Sequence, residues 1–171
     1  MPEFIRLAFA VLFPLGVVAA GLKDATSYII PNRLNAAIAL AFVPAALCAG
    51  LSGPMFAVCG LAGFVALALG VVLFCLRLIG GGDAKLLAAC VLWLGPAAAA
   101  PFLAWTALAG GLLALGLLAA RRTPGLAVIS GAAWVQRLLQ PKGEAPYGVA
   151  IAVGALIAFP ASPIAHALHG L

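Results

Sequence analysis

Charge is what this sequence has least of. Charged residues make up 8% of its 171 positions, nine basic and four acidic, whereas a soluble domain carries roughly 25%. A chain that is 66% hydrophobic, with a mean hydropathy of +1.25, cannot cover itself with a wettable surface. It is stable where lipid is the solvent. Paired cysteines are absent too: Cys48, Cys59, Cys75 and Cys90 stand singly in apolar runs with no C-x-x-C. That spacing gives no zinc site and no disulfide framework, and predicts buried, inert thiols. There is no repeat of fixed period and no low-complexity tail. The first twenty-odd residues imitate a signal peptide, but Glu3 dilutes the charge of Arg6 and the apolar character never stops, so they read as a first spanning helix.

The charges that remain mark helix ends. Leu7 to Leu22 is an uncharged run between Arg6 and Lys23. No charge interrupts Leu34 to Leu76, which as one straight helix would reach ~65 Å, about twice a ~30 Å hydrocarbon core. It must reverse, and Gly50-Leu51-Ser52-Gly53-Pro54 is the expected turn. Leu86 to Ala120 would reach roughly 52 Å and must reverse as well. The break is expected between Gly95-Pro96 and Pro101, with Pro101 favoured because it leaves helices of more equal length. A last span runs from about Tyr147 to Leu168, kinked or ended by Pro160 and Pro163.

The expected fold is therefore an all-α membrane protein of about six transmembrane helices, a single domain over residues 1–171. Placing both termini with the turns near Gly53 and Ala98 leaves Arg6 as the basic residue of that side and puts the other eight Lys and Arg opposite. By the positive-inside rule the termini lie outside (N-out, C-out) and the charged loops are cytoplasmic. Topology thus accounts for the +5 net charge without a nucleic-acid partner. The one sizeable loop spans about 121–146. Within it Leu126 to Leu139, with Trp134 and Arg137, suits a helix lying in the interface, an irregular linker being the equal alternative.

Of the four acids, Glu3 and Glu144 look like solvated charges, Glu144 beside Lys142. Asp24 and Asp83 both fall at cytoplasmic ends of membrane helices, a placement derived from Lys and Arg alone. Carboxylates at membrane depth are costly and default to function. Two aspartates sharing a site do not both ionise easily, which supplies the acid and base that peptide hydrolysis needs. Asp83 precedes a helix, where free N–H groups favour its charge, and Asp24 follows one. The expected resting state is thus Asp83 ionised and Asp24 protonated, a point tested by the acid limb of the pH–rate profile in single substitutions. Taken alone, a solvated helix end and a helix cap would explain the two residues as well.

The surrounding pattern says more. Gly80-Gly81-Gly82-Asp83-Ala84-Lys85-Leu86-Leu87-Ala88-Ala89, continued by Trp93-Leu94-Gly95, resembles the G-x-G-D-x-K-L-L-A-A stretch of the type IV prepilin peptidase family. Asp24 followed by Ile30-Pro31-Asn32 resembles its other aspartate motif, and Pro146-Tyr147-Gly148-Val149-Ala150 with Gly154 its C-terminal segment. The resemblance covers Asp24 to about Gly154. It implies a membrane aspartyl protease of the bacterial inner membrane, without cofactor or metal. Such an enzyme removes the leader of prepilin or pseudopilin precursors at the cytoplasmic face, with Asp24 and Asp83 catalytic. Gly80 and Gly82 would let a substrate strand approach the backbone, or merely end the third helix. Lys85 would offset the charge of the aspartates or reach membrane lipid phosphates. Pro31 and Asn32 would shape the start of the second helix. Lacking C-x-x-C, the chain resembles the short, peptidase-only form that serves tight-adherence pili, which implies no methylation of the processed N-terminus. His166 and His169 make a poor metal pair and suit an interface.

Two other functions predict different patterns. A transporter or proton channel using the same aspartates calls for polar residues lining several helices, and the second, third and fifth have almost none. A non-catalytic assembly subunit of a pilus or secretion system would tolerate replacement of either aspartate.

Overall fold

The structure, a computed structural model, describes residues 3–122, 133–140, 143 and 145–169. Its helices are α1 (Glu3–Ser27), α2 (Asn32–Ala49), α3 (Gly53–Cys75), α4 (Gly81–Arg121), α5 (Ala133–Leu138), α6 (Tyr147–Ala158) and α7 (Pro163–His169), with a 3-10 turn over Phe159–Ala161. There is no strand among the described residues. Four segments there are long and apolar enough to cross a bilayer: Asn32–Ala49, Gly53–Cys75, Gly81–Arg121 and Tyr147–Ala167. The chain is an all-helical, multi-pass membrane protein.

The expected reversal between α2 and α3 is present. Gly50 closes α2 in the left-handed region (φ 75°), and Ser52 caps α3 by accepting from the Met55 N–H at 3.4 Å. Pro160 and Pro163 break the final segment as expected, with Ser162 Oγ accepting from the Ala165 N–H at 3.1 Å to start α7.

The break in α4 is at Gly95, not at the favoured Pro101. Gly95 sits at φ 68°, ψ 173° while Pro101 lies inside a continuous helix. The reason is steric: a positive φ of that kind is open to glycine and strained for other residues. Pro96 follows at the start of a new helical arm, where its missing N–H costs nothing. The two arms run back to back. Asp83 opens the first arm in the same cavity as Tyr147. Gly95 lies against Pro163, Thr106 against Gly154, and Gly110 against the Tyr147 ring. The second arm therefore returns along α6 to the level from which the first one left.

Between helices in lipid there is little hydrophobic drive, so close packing and buried hydrogen bonds hold the bundle. Trp93 is its centre. It stacks on Phe13 (centroids 5.1 Å), meets Phe42 edge-on (5.9 Å), and donates its indole N–H to the Ile38 carbonyl at 2.7 Å. One side chain thereby ties α1, α2 and the first arm of α4 together.

In the 121–146 loop the helical alternative holds for Ala133–Leu138, none of which is buried, and Arg121 Nε donates to the Leu138 carbonyl at 2.9 Å. Leu126 to Ala132, Lys142 and Glu144 lie outside the described residues.

Candidate active site

α1 continues past Asp24 to Ser27, so this aspartate stands in the last turn of the helix rather than after it. Its side chain is turned inward, with 6% of its surface exposed. Burial of a carboxyl at a helix C-terminal end, where the dipole opposes charge, needs a partner. The partner comes from 124 residues away: the Gly148 N–H, in the first turn of α6, donates to Asp24 Oδ2 at 2.6 Å. The approach requires glycine, because a Cβ at position 148 would lie 2.9 Å from both Cβ and Oδ2 of Asp24 and 2.9 Å from Ile30 Cδ1.

Asp83 is placed by local geometry. α3 stops at Cys75, and the chain bends through Arg77, whose φ is 59°. Gly80 is then the N-cap of α4, so Gly80 to Gly82 begin the fourth helix and do not end the third. Asp83, in the first turn, accepts a hydrogen bond from the Gly80 backbone, the reciprocal bond of a capping box. The neighbouring glycines are filled from within: a Cβ on Gly82 would lie 3.3 Å from Ile30 Cβ, and one on Gly81 3.3 Å from the Phe74 ring. Gly80 is the exposed member of the run.

The two aspartates come together. Both line one open cavity of about 940 Å³ and their carboxyls interact electrostatically. The end of α3 and the bend after it form one wall, and the start of α6 the other. Arg77 supplies a cation to the lining, and the chain's two tyrosines, Tyr28 and Tyr147, both face the space. Sequence reasoning passes over Tyr28 and Arg77. Scarcity is the available signal, since Tyr28 is one of two tyrosines and lies one helical turn past an aspartate. Cys75, expected to be buried, is exposed and lines the same cavity because it ends α3.

The Gly148 N–H gives Asp24 a helix N-terminal donor like those at Asp83, set against the opposing C-terminal dipole of α1 on which the expected contrast in charge state also rests. Pro31, Asn32 and Lys85 do not line the cavity. Pro31 caps α2, its carbonyl accepting from Leu34 and Asn35 N–H groups. Lys85 turns away to donate to Asn32 Oδ1 at 2.8 Å. His166 lies at the far end of the bundle, near the Gly50 turn. Among the described residues no three His, Cys, Asp or Glu side chains converge as a metal site.

Comparison with known proteins adds one finding. The model of the type IV leader peptidase family matches residues 11–115, a span that includes Asp24 and Asp83 and ends before Tyr147. No curated protein and no solved structure matches the chain. With the match running over more than half of the sequence and through both aspartates, this membrane protein belongs to the type IV leader peptidase family.

Proposed function

We propose that the chain is an aspartyl endopeptidase of the bacterial inner membrane that cuts the leader from prepilin or pseudopilin precursors at the cytoplasmic face. The observation that carries this reading is the meeting of Asp24 and Asp83, both within the matched segment but far apart along it, in one open cavity. With one proton between them, the ionised carboxylate takes a proton from a bound water as that water attacks the scissile carbonyl carbon. The protonated partner gives its proton to the carbonyl oxygen. The resulting gem-diol collapses, a proton passes to the leaving amine, and the pair returns to its starting state. No atom of the protein becomes bonded to substrate. Purified protein in liposomes, given a leader-bearing precursor in heavy-oxygen water, is expected to release a leader labelled at its new carboxyl terminus. A covalent acyl-protein caught by acid quench would refute direct attack by water. Failure to cut any such precursor would refute the peptidase and favour the assembly subunit.

The same reading sets six crossings, α4 supplying two through its Gly95 break, with both termini outside and the cavity facing the cytoplasm. Cys75 then reports orientation. It is the exposed thiol among the four, at the cavity wall. A membrane-impermeant maleimide should label it in inside-out vesicles and leave it untouched in right-side-out ones. The reverse pattern would overturn the orientation.

A further inference from the structure

A second cavity lies on the other side of the α4 N-terminus. α2 and α3 both pack along the first arm of α4 but barely on each other. They are pinned at their shared turn, where Phe42 stacks on Phe56 at 5.3 Å, and they splay toward the Asp83 end. The V-shaped cleft between them holds about 550 Å³. Its floor and walls are apolar, with Gly60, Gly63 and Ala88 leaving room beside Phe64, Leu67 and Leu92. Its mouth is polar, formed by Asn32, Asn35 and Lys85.

Asn35 ties this cleft to the start of α4. It is 4% exposed, and its Nδ2 donates to the Gly82 carbonyl at 3.0 Å, which fixes the orientation of the amide. Oδ1 then lies buried without a hydrogen-bond partner among the described residues, although a buried acceptor normally has one. One turn nearer the surface, the Lys85 ammonium has Asn32 Oδ1 as a neutral acceptor. The Asn35 oxygen is closed to the cleft, so the mouth asks for an anion at Lys85, and the apolar cleft below asks for a thin chain.

We propose that this cleft is a binding site for an anionic glycerophospholipid. The phosphate sits at Lys85 and Asn32, and an acyl chain runs down between α2 and α3. A substrate helix fits less well. The cleft shares no lining residue with the cavity of the aspartates, so a chain seated in it is not led to Asp24 and Asp83. The polar mouth nevertheless touches the glycine run that presents Asp83, through the Asn35–Gly82 bond.

Lipid binding is read without peptidase turnover, so the outcome is independent of the proposed function. The full chain is equilibrated in nanodiscs of phosphatidylglycerol and phosphatidylcholine in equal amounts, released into mild detergent and weighed by native mass spectrometry. The expected result is one retained phosphatidylglycerol and no retained phosphatidylcholine. Gly60→Leu fills the cleft without a clash, because a Cβ there meets nothing within 4 Å, and should lower retention to background. Gly111→Leu, equally unobstructed but outside the cleft, should leave retention unchanged and shows that an added side chain alone is harmless. Lys85→Gln should weaken retention about fivefold, the usual effect of one basic residue at an anionic surface. Absence of retained lipid on the wild type, or equal retention on Gly60→Leu, overturns the proposal. A photo-crosslinking residue at Ala36 that captures precursor instead of lipid overturns the choice of occupant.

Discussion

Asparagine at position 24 or at position 83 should each reduce precursor cleavage by about a thousandfold or more. Asparagine keeps the shape of aspartate but neither takes nor gives up a proton in the working pH range. General acid–base contributions run to about 10²–10⁴ per group, and here each carboxyl must act in both the addition and the collapse steps. The local contacts survive the change, which makes the loss a chemical one. The carbonyl of an asparagine at 24 can still accept from the Gly148 N–H, and that of one at 83 can still accept from the Gly80 backbone. Rates of leader release in liposomes, with thermal unfolding as the check on folding, decide the matter. A folded variant that retains cleavage at either position breaks the two-carboxyl mechanism and brings the non-catalytic assembly subunit to the front.

The second large effect is expected from Gly148→Ala. A methyl group there would sit 2.9 Å from Asp24 Cβ, an atom fixed to the backbone of α1, and 2.9 Å from Oδ2. Either α1 and α6 move apart or the Asp24 carboxyl rotates, and both lengthen the 2.6 Å bond that aims it. Misplacing a reacting group by about 1 Å costs on the order of 10²-fold in rate. The expected signature is a kcat lower by about that factor, a KM close to wild type, and a protein that still folds. Gly111→Ala is the control. Nothing lies within 4 Å of a Cβ there, so turnover should be unchanged while the mid-helix replacement stabilises by roughly 0.5–1 kcal/mol. Wild-type turnover in Gly148→Ala would show that this backbone donor does not position Asp24.

What can be read from the sequence is what depends on short stretches of chain. The uncharged runs, the Gly50 to Pro54 turn, the two late prolines and both aspartates need a window of no more than a few dozen residues. The α4 break falls at Gly95, one end of the stretch the sequence offers, and equal helix length, the criterion that favours Pro101, does not decide it. In a membrane helix neighbours re-satisfy the freed carbonyl, and Pro14, Pro44 and Pro101 all sit inside helices. Contacts made across the bundle leave no local trace. The bond from Gly148 to Asp24 spans 124 positions, that from Lys85 to Asn32 spans 53, and that from Asn35 to Gly82 spans 47. Lys85 illustrates the cost. Two residues from Asp83 in the chain, it reads as a counter-charge, yet on a helix that spacing points two side chains to different faces.

The bond between Asp24 and Gly148 also sets a timetable. Synthesis proceeds from the N-terminus, so Asp24 and Asp83 enter the membrane well before the segment that begins at Tyr147 leaves the ribosome. Until that last helix arrives, the Gly148 N–H is not there for the Asp24 carboxyl. On the proposed two-carboxyl mechanism, a nascent or truncated chain therefore carries both acids in an unfinished arrangement, and cleavage waits until the whole bundle has been assembled.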